Sequence, residues 1–322
     1  MPELPEVETI CRDLERVLRG QKIVALEARL VKQIKNPLAE FKRGVIGAEI
    51  LGVRRRAKLI IMDLKVVGRA GAVSAPRALA AKKQSELFAE RTKNKSGVKS
   101  AGAHLIFHLR MTGQLIYRGV GNDLAGGGHP IKQDLEKLPN AYTHVIFNFA
   151  DGGKLFFNDT RQFGFVKLVG TEELRALEDA LGPEPLAKSF SAAKLAEIFK
   201  NRPRLEIKPA LMEQKLIAGI GNIYASEICF VAGIAPMRLV GTLKAGDWEK
   251  IYQAMVEILN LAIKKRGTSS DTYVDAFGRQ GSMNASLRVY GRTGQRCLRC
   301  GAALEAFTQK QRTTFWCKEC QG

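Results

Sequence analysis

Cys297-Leu298-Arg299-Cys300, sixteen further residues, then Cys317-Lys318-Glu319-Cys320 is the stretch that fixes the C-terminal fold of this 322-residue chain. Each Cys-x-x-Cys turn places two thiolates on one side of a tetrahedral ion, so the spacing predicts a four-cysteine zinc ribbon of two knuckles joined by a β-hairpin. One structural Zn2+ on Cys297, Cys300, Cys317 and Cys320 is expected, and four thiolates leave no open position for catalysis. The hairpin tip is expected at Gln309 to Thr314, projecting toward a ligand. Arg288, Arg292, Arg296, Arg299, Lys310, Arg312 and Lys318 against Glu305 and Glu319 make the module basic.

That bias runs through the whole chain. Fifty-one Lys and Arg against 32 Asp and Glu give a formal net charge of +19, far beyond what solubility needs, which points to an anionic polymer, nucleic acid first, as partner. A membrane surface is the competing partner, but no long apolar run, secretory signal or basic amphipathic helix supports it. Cys11 and Cys229 stand alone in apolar, helix-like surroundings and read as buried small hydrophobes in a reducing cytoplasm.

Upstream of the ribbon the periodicity divides the chain in two. Val7, Ile10, Leu14 and Val17 at helical spacing, stopped by Gly20, predict a helix from near Pro2. From Lys22 to Leu168 short alternating runs at 23–26, 59–64, 105–109, 145–149 and 155–157 predict a β-sandwich or barrel. Two stretches, about 66–102 and 119–140, are too long for strand connections and read as insertions, mobile or partly helical. The first carries eight Lys/Arg, at 69, 77, 82, 83, 91, 93, 95 and 99, which could attract phosphate or simply be solvated. Helical patterning begins near Gly170, passes the turn Gly182-Pro183-Glu184-Pro185 and runs to about Lys265; a Gly/Ser/Asp-rich loop at 267–284 then leads to the ribbon. The expected units are 1–170, 171–285 and 286–322.

The histidines offer no second metal site, because His104 and His108 lack the Glu of a zincin helix and sit in a strand-like run. Gly219-Ile220-Gly221-Asn222 is a poor nucleotide loop and a better helix start, with Asn222 capping a helix from Ile223 and exposed amides available to a DNA phosphate. The opening Pro2-Glu3-Leu4-Pro5-Glu6 is unusual in its chemistry. Removal of Met1 would leave a secondary amine beside two carboxylates, and an α-amino group of pKa roughly 7.7–8.0 is partly nucleophilic near neutrality. Its attack on a sugar C1′ gives an iminium with no N–H to lose, a lasting electron sink suited to elimination. The structural alternative is an acidic helix start with proline in the first turn.

Seven motifs in order resolve that choice: Pro2 to Glu8, Arg55-Arg56-Ala57-Lys58, His108-Leu109-Arg110-Met111-Thr112-Gly113, Asp159-Thr160-Arg161-Gln162-Phe163-Gly164, Gly219 to Glu227, Val289-Tyr290-Gly291-Arg292 and Gln311 to Cys317. Together they cover nearly the whole chain and closely resemble the bacterial formamidopyrimidine-DNA glycosylases. The resemblance implies an α+β protein: an N-terminal helix-capped β-sandwich, a helical helix-two-turn-helix domain and the zinc ribbon, with DNA across the cleft. It implies a cytoplasmic, monomeric base-excision-repair enzyme, a DNA-formamidopyrimidine glycosylase with abasic-site lyase activity. The expected partner is double-stranded DNA containing oxidised purines or abasic sites.

By the same resemblance Pro2 is the nucleophile and Schiff-base former, and Glu3 the general acid/base, with Glu6 supporting it or positioning water. Lys58 lies near the lesion and donates a proton in β-elimination, and Arg312 binds phosphate and serves δ-elimination. Met111, Arg161 and Phe163 fill the void left by an everted base, although from the residues alone Met111 and Phe163 read as ordinary core. Asn222, Arg204, Tyr142 and Tyr273 align with DNA-contacting positions. Tyr142 replaces a family His and Gln162 a second Arg. Two alternatives remain: the endonuclease VIII type, which removes oxidised pyrimidines and often has Gly where this chain has Leu4, and a non-catalytic zinc-ribbon protein that binds damaged DNA.

Overall fold

The computed structural model describes residues 1–66, 102–121, 123–128, 138–268, 274–275 and 281–322. The eight basic residues of the first insertion and Tyr273 lie outside the described residues.

The predicted first helix is α1, Leu4–Leu18; of the expected stripe Val7, Ile10 and Leu14 are buried, whereas Val17 is half-buried and Leu18 completes the buried face. The strands β1 (Ile23–Ala28), β2 (Glu49–Arg56), β3 (Leu59–Lys65), β4 (Ala103–His108), β5 (Gly113–Arg118), β6 (Leu124–Gly128), β7 (Thr143–Phe149), β8 (Lys154–Asp159) and β9 (Phe165–Gly170) follow, with α2 (Leu38–Val45) between β1 and β2. They form a four-stranded sheet β2-β3-β4-β9 and, with β10 (Val274–Asp275), a six-stranded sheet β1-β7-β8-β5-β6-β10. Every named pairing is antiparallel. Between the sheets Phe107 meets Phe147 and Phe157 edge-on, at ring distances of 5.8 and 5.9 Å. Two expectations change here. The stretch 119–140 contains β6, paired along its length with β5, and the loop 267–284 contains β10, which returns from the helical region to close the sheet edge.

The helices are α3 (Thr171–Asp179), α4 (Ala192–Phe199), α5 (Ile207–Leu211), α6 (Asn222–Ala232) and the long α7 (Ala245–Lys264). All but α3, whose Leu174 packs on Ile61, Ile106 and Val169 of the four-stranded sheet, enclose a second core around Tyr224, Ile228, Ile251, Met255 and Leu259. Leu4 belongs to this core and not to the sandwich core that Val7 joins three residues later. The start of α1 is therefore wedged between the two units. In the ribbon β11 (Glu305–Gln309) and β12 (Arg312–Trp316) pair as a hairpin, followed by the short α8 (Lys318–Gln321). The hairpin turn is only Lys310-Gln311, both in left-handed conformation, whereas Gln309 and Thr314, expected at a projecting tip, are buried. No helix among the described residues is long and apolar enough to cross a membrane.

Candidate active site

The glycines of Gly219-Ile220-Gly221 cradle the chain start. Leu4 N–H donates to the Gly219 carbonyl at 3.0 Å, a Cβ on Gly219 would meet Leu4 Cβ at 2.8 Å, and one on Gly221 would overlap the Glu3 carboxyl. Glu3 is buried, and its Oε2 accepts from Gly221 N–H at 2.7 Å while Oε1 accepts from Ile223 N–H at 3.0 Å. A carboxylate across the first amides of a helix satisfies donors that would otherwise be orphaned and meets the positive end of the helix dipole. The cap of α6 is thus Glu3, supplied from about 220 positions away, and not Asn222. The amides expected to await a phosphate are already occupied.

Asn222 instead turns sideways. Its Oδ1 accepts from Lys208 Nζ at 2.6 Å and its Nδ2 donates to the Thr313 carbonyl at 3.0 Å. Lys208, which no motif marks, is buried and also donates to Thr314 Oγ1 at 2.8 Å; burial brings its ammonium down to about 8. Its signal in the sequence is a lone cation inside the apolar run Ile207 to Leu211. Thr314 passes the network on to Gln309 Oε1 at 3.0 Å, and Gln309 Nε2 donates to Glu206 and to the Pro236 carbonyl, both at 3.1 Å. Arg312 therefore projects from a hairpin bolted to α5 and α6. It is exposed and makes no side-chain hydrogen bond or ion pair among the described residues.

Glu6 lies one turn behind Glu3. Its Oε2 accepts from Glu3 N–H at 2.9 Å, and its Oε1 accepts from Thr268 N–H at 2.7 Å and from the Tyr224 hydroxyl. Burial pushes its carboxyl above the ordinary value, the Glu3 charge adds to this, and the three donors oppose it. Tyr224 and Thr268 also escape sequence reasoning, because their contact with Glu6 is invisible in local sequence.

Lys58 arrives from the other side, in the two-residue turn Ala57-Lys58 between β2 and β3, where Ala57 has φ 53°. That strained turn is held by Glu184 of the turn Gly182-Pro183-Glu184-Pro185. Glu184 Oε1 accepts from Ala57 N–H at 2.7 Å and Arg56 at 3.1 Å, and its Oε2 pairs with Arg55 at 2.7 Å. Arg56 also donates to the carbonyls of Glu178, Leu181 and Gly182. Burial lowers the Lys58 ammonium below the ordinary lysine value; the Glu3 and Glu6 charges pull it back up and the Arg312 charge adds to the lowering. Next to it His108 is held neutral, with burial and the Arg110 and Lys58 charges bringing its ring down to about 3. Glu3, Glu6 and Lys58 from the first unit and Arg312 from the ribbon thus share one electrostatic field around the buried Pro2.

Met111 and Phe163 are not core. They are 38% and 56% exposed, and the Arg161 guanidinium stacks 4.9 Å over the Phe163 ring. Tyr142 and Arg204 are exposed as well. Of the basic ribbon residues, three are engaged within the fold: Arg288 pairs with Glu257, Arg292 donates to the Arg288 and Arg296 carbonyls, and Arg299 stacks on Phe230. The ribbon is pinned to α6 by buried Glu227, which accepts from the N–H groups of Arg288, Val289 and Tyr290, each at 2.9 Å.

The four cysteine sulfurs lie within 4.8 Å of one another, with Cys297 to Cys320 at 3.8 Å and Cys300 to Cys317 at 3.5 Å. Zinc–sulfur bonds of about 2.3 Å in a tetrahedron separate sulfurs by about 3.8 Å, so these residues fit a zinc ion.

A helix-wedged sandwich, a helix-two-turn-helix unit and a four-cysteine module around a cluster of acids and bases define a damaged-DNA glycosylase. Residues 1–166 match the formamidopyrimidine-DNA glycosylase N-terminal domain, and residues 181–274 match the H2TH domain of the same glycosylase. The formamidopyrimidine-DNA glycosylase of Pelotomaculum thermopropionicum is 36% identical, covering 100% of this chain and 99% of that one. That of Moorella thermoacetica is 39% identical over 95% and 94% of the two chains. The Lactococcus lactis Fpg solved with DNA containing an abasic site superposes with a TM-score of 0.77 at 30% identity over 99% of both chains. A mutant of that Fpg, solved with Fapy-dG-containing DNA, gives 0.78. The chain belongs to the formamidopyrimidine-DNA glycosylase family.

Proposed function

We propose that this protein is a bifunctional glycosylase and abasic-site lyase that removes 8-oxoguanine and formamidopyrimidines from duplex DNA in the bacterial cytoplasm. The observation that carries this reading is the convergence of Glu3 and Lys58 from the first unit and Arg312 from the ribbon on the chain start. Once Met1 is removed, the Pro2 nitrogen attacks C1′, the C1′–N bond to the base breaks, and the departing base takes up a proton. Glu3 protonates the sugar ring oxygen as the ring opens to an iminium, and Glu6 supports Glu3 through the Glu3 N–H. Loss of a C2′ proton then expels the 3′ phosphate, with Lys58 supplying a proton, and Arg312 holds the phosphate released by a second, δ elimination.

Extrusion of the base leaves a hole in the stack. Met111 plugs it, Phe163 wedges between base pairs and Arg161 reaches the orphaned cytosine; their exposure suits them to this. Asn222, Arg204, Tyr142 and Tyr273 contact the DNA backbone. The units 1–170, 171–285 and 286–322 act as catalytic domain, duplex-binding domain and zinc ribbon in a monomer. Zn2+ on Cys297, Cys300, Cys317 and Cys320 would supply structural cohesion only.

Base release and strand nicking should be measured on duplexes carrying 8-oxoguanine, a formamidopyrimidine, an oxidised pyrimidine or no lesion. Release of the two purine lesions with β,δ-nicking supports the proposal. Release of the pyrimidine alone would identify an endonuclease VIII type, and tight binding without release would identify a damage-binding protein.

A further inference from the structure

The two loops bearing Met111 and Arg161–Phe163 are joined by a half-buried contact that the chemistry above does not use. Thr112 Oγ1 donates to Asp159 Oδ1. Arg161 N–H donates to Thr112 Oγ1 at 3.1 Å and to Asp159 Oδ1 at 3.2 Å, and Gly164 N–H donates to Asp159 Oδ2 at 2.6 Å. The Asp159 main chain is held too, its N–H donating to the Tyr142 carbonyl at 3.0 Å and its carbonyl meeting His144 Nε2 at 2.6 Å. Asp159 is 0% exposed, while the loop tips it ties together are open to solvent. Burying a carboxylate is costly unless donors surround it, and here the donors come from both ends of one loop and from the neighbouring loop.

Both loops also need an external hold. Arg110 and Gln162 sit in the left-handed region at φ 52° and 58°, conformations that non-glycine residues keep only where surrounding contacts enforce them. We infer that Thr112 and Asp159 are positioning residues: their clasp makes Met111, Arg161 and Phe163 a single preformed wedge. The inference rests on the reading of those three residues as void fillers. A wedge whose parts are fixed before DNA arrives pays no ordering cost while it displaces a paired base, whereas independently mobile loops would. The benefit exists only on duplex DNA, since a single-stranded abasic site has no base to evict and no stack to hold open.

The test compares 8-oxoguanine excision from a duplex with cleavage of a single-stranded abasic oligonucleotide by the full-length protein. Thr112→Val should lower duplex kcat about tenfold or more, Thr112→Ser should restore it to within about threefold, and single-strand cleavage should stay within about twofold of wild type in both. Equal losses by Thr112→Val on both substrates indicate general damage to the fold and overturn the clasp. Full duplex activity of Thr112→Val, while Phe163→Ala is impaired, overturns the clasp and leaves the wedge standing. Full duplex activity of Phe163→Ala and Met111→Ala overturns the wedge and the clasp with it.

Discussion

Replacing Glu184 with alanine should destabilise the protein and misplace Lys58 at once. Its carboxylate accepts from Ala57 N–H at 2.7 Å and binds Arg55 and Arg56, whose side chains are only 10% and 17% exposed. Without it the buried Ala57 N–H has no acceptor, a loss of about 1–3 kcal/mol, and Arg55 keeps only Glu8 as its ion-pair partner. Breaking one side of such a buried charge network costs about 3–5 kcal/mol in total. At about 2–4 °C per kcal/mol, the melting temperature should fall by roughly 10 °C. Glu184→Gln retains an acceptor for Ala57 and should lose about half as much.

The pH dependence carries its own sign. Burial alone would raise the Glu184 carboxyl, but Arg55, the Ala57 N–H and Arg56 outweigh it and hold the carboxyl below the ordinary value. Its stabilisation is therefore complete above the unfolded value of about 4.3 and is lost as pH falls through the lower folded value. Thermal melts from pH 7 to pH 3, with nicking of an abasic duplex alongside, should show Glu184→Ala converging on wild type in acid and cutting more slowly at neutral pH. A variant that melts within about 1 °C of wild type at pH 7 would refute the reasoning.

Other outcomes follow from the same contacts. Burial lowers Lys58, so its proton is lost as pH rises through a value below the ordinary one; elimination should slow on that alkaline limb, and Lys58→Met should cut more slowly and lose the limb, a limb unchanged in Lys58→Met excluding Lys58 as the donor. Lys208 titrates at about 8 when folded but about 10.4 when unfolded, so between those values the unfolded chain binds more protons and stability rises with pH. Denaturant titrations should show wild type gaining up to about 3 kcal/mol on Lys208→Met across that window, and parallel curves would contradict it. Cys317→Ser should lose zinc and DNA affinity together, as read by metal analysis and duplex titration; tight binding by a zinc-free protein would deny the ribbon its role in grip.

The parts of the fold legible in the sequence are those encoded locally. Two Cys-x-x-Cys pairs announce the ribbon because one ion needs four thiolates in a set geometry. Val7, Ile10, Leu14 and Val17 announce α1 because a buried helix face repeats every 3.6 residues. The run Ala125-Gly126-Gly127-Gly128 reads as part of an insertion because glycines signal turns, yet it belongs to β6. A Cβ on Gly126 would overlap the Leu115 carbonyl, so the glycines mark close packing on β5. The site divides in the same way. Pro2, Glu3, Lys58 and Arg312 are legible through motifs, whereas the cap Glu3 gives to α6, the Lys208 bolt and the Tyr224–Glu6 contact join residues 14 to 221 positions apart. No window of sequence contains such pairs.

The role of the Pro2 amine is tested most directly by trapping. Mature protein lacking Met1 is incubated with an 8-oxoguanine duplex and borohydride, and the cross-linked peptide is sequenced by mass spectrometry. The expected result is one reduced adduct joining the sugar to the Pro2 nitrogen, absent in Pro2→Gly. An adduct on Lys58 or Lys208, or one undiminished in Pro2→Gly, would contradict it.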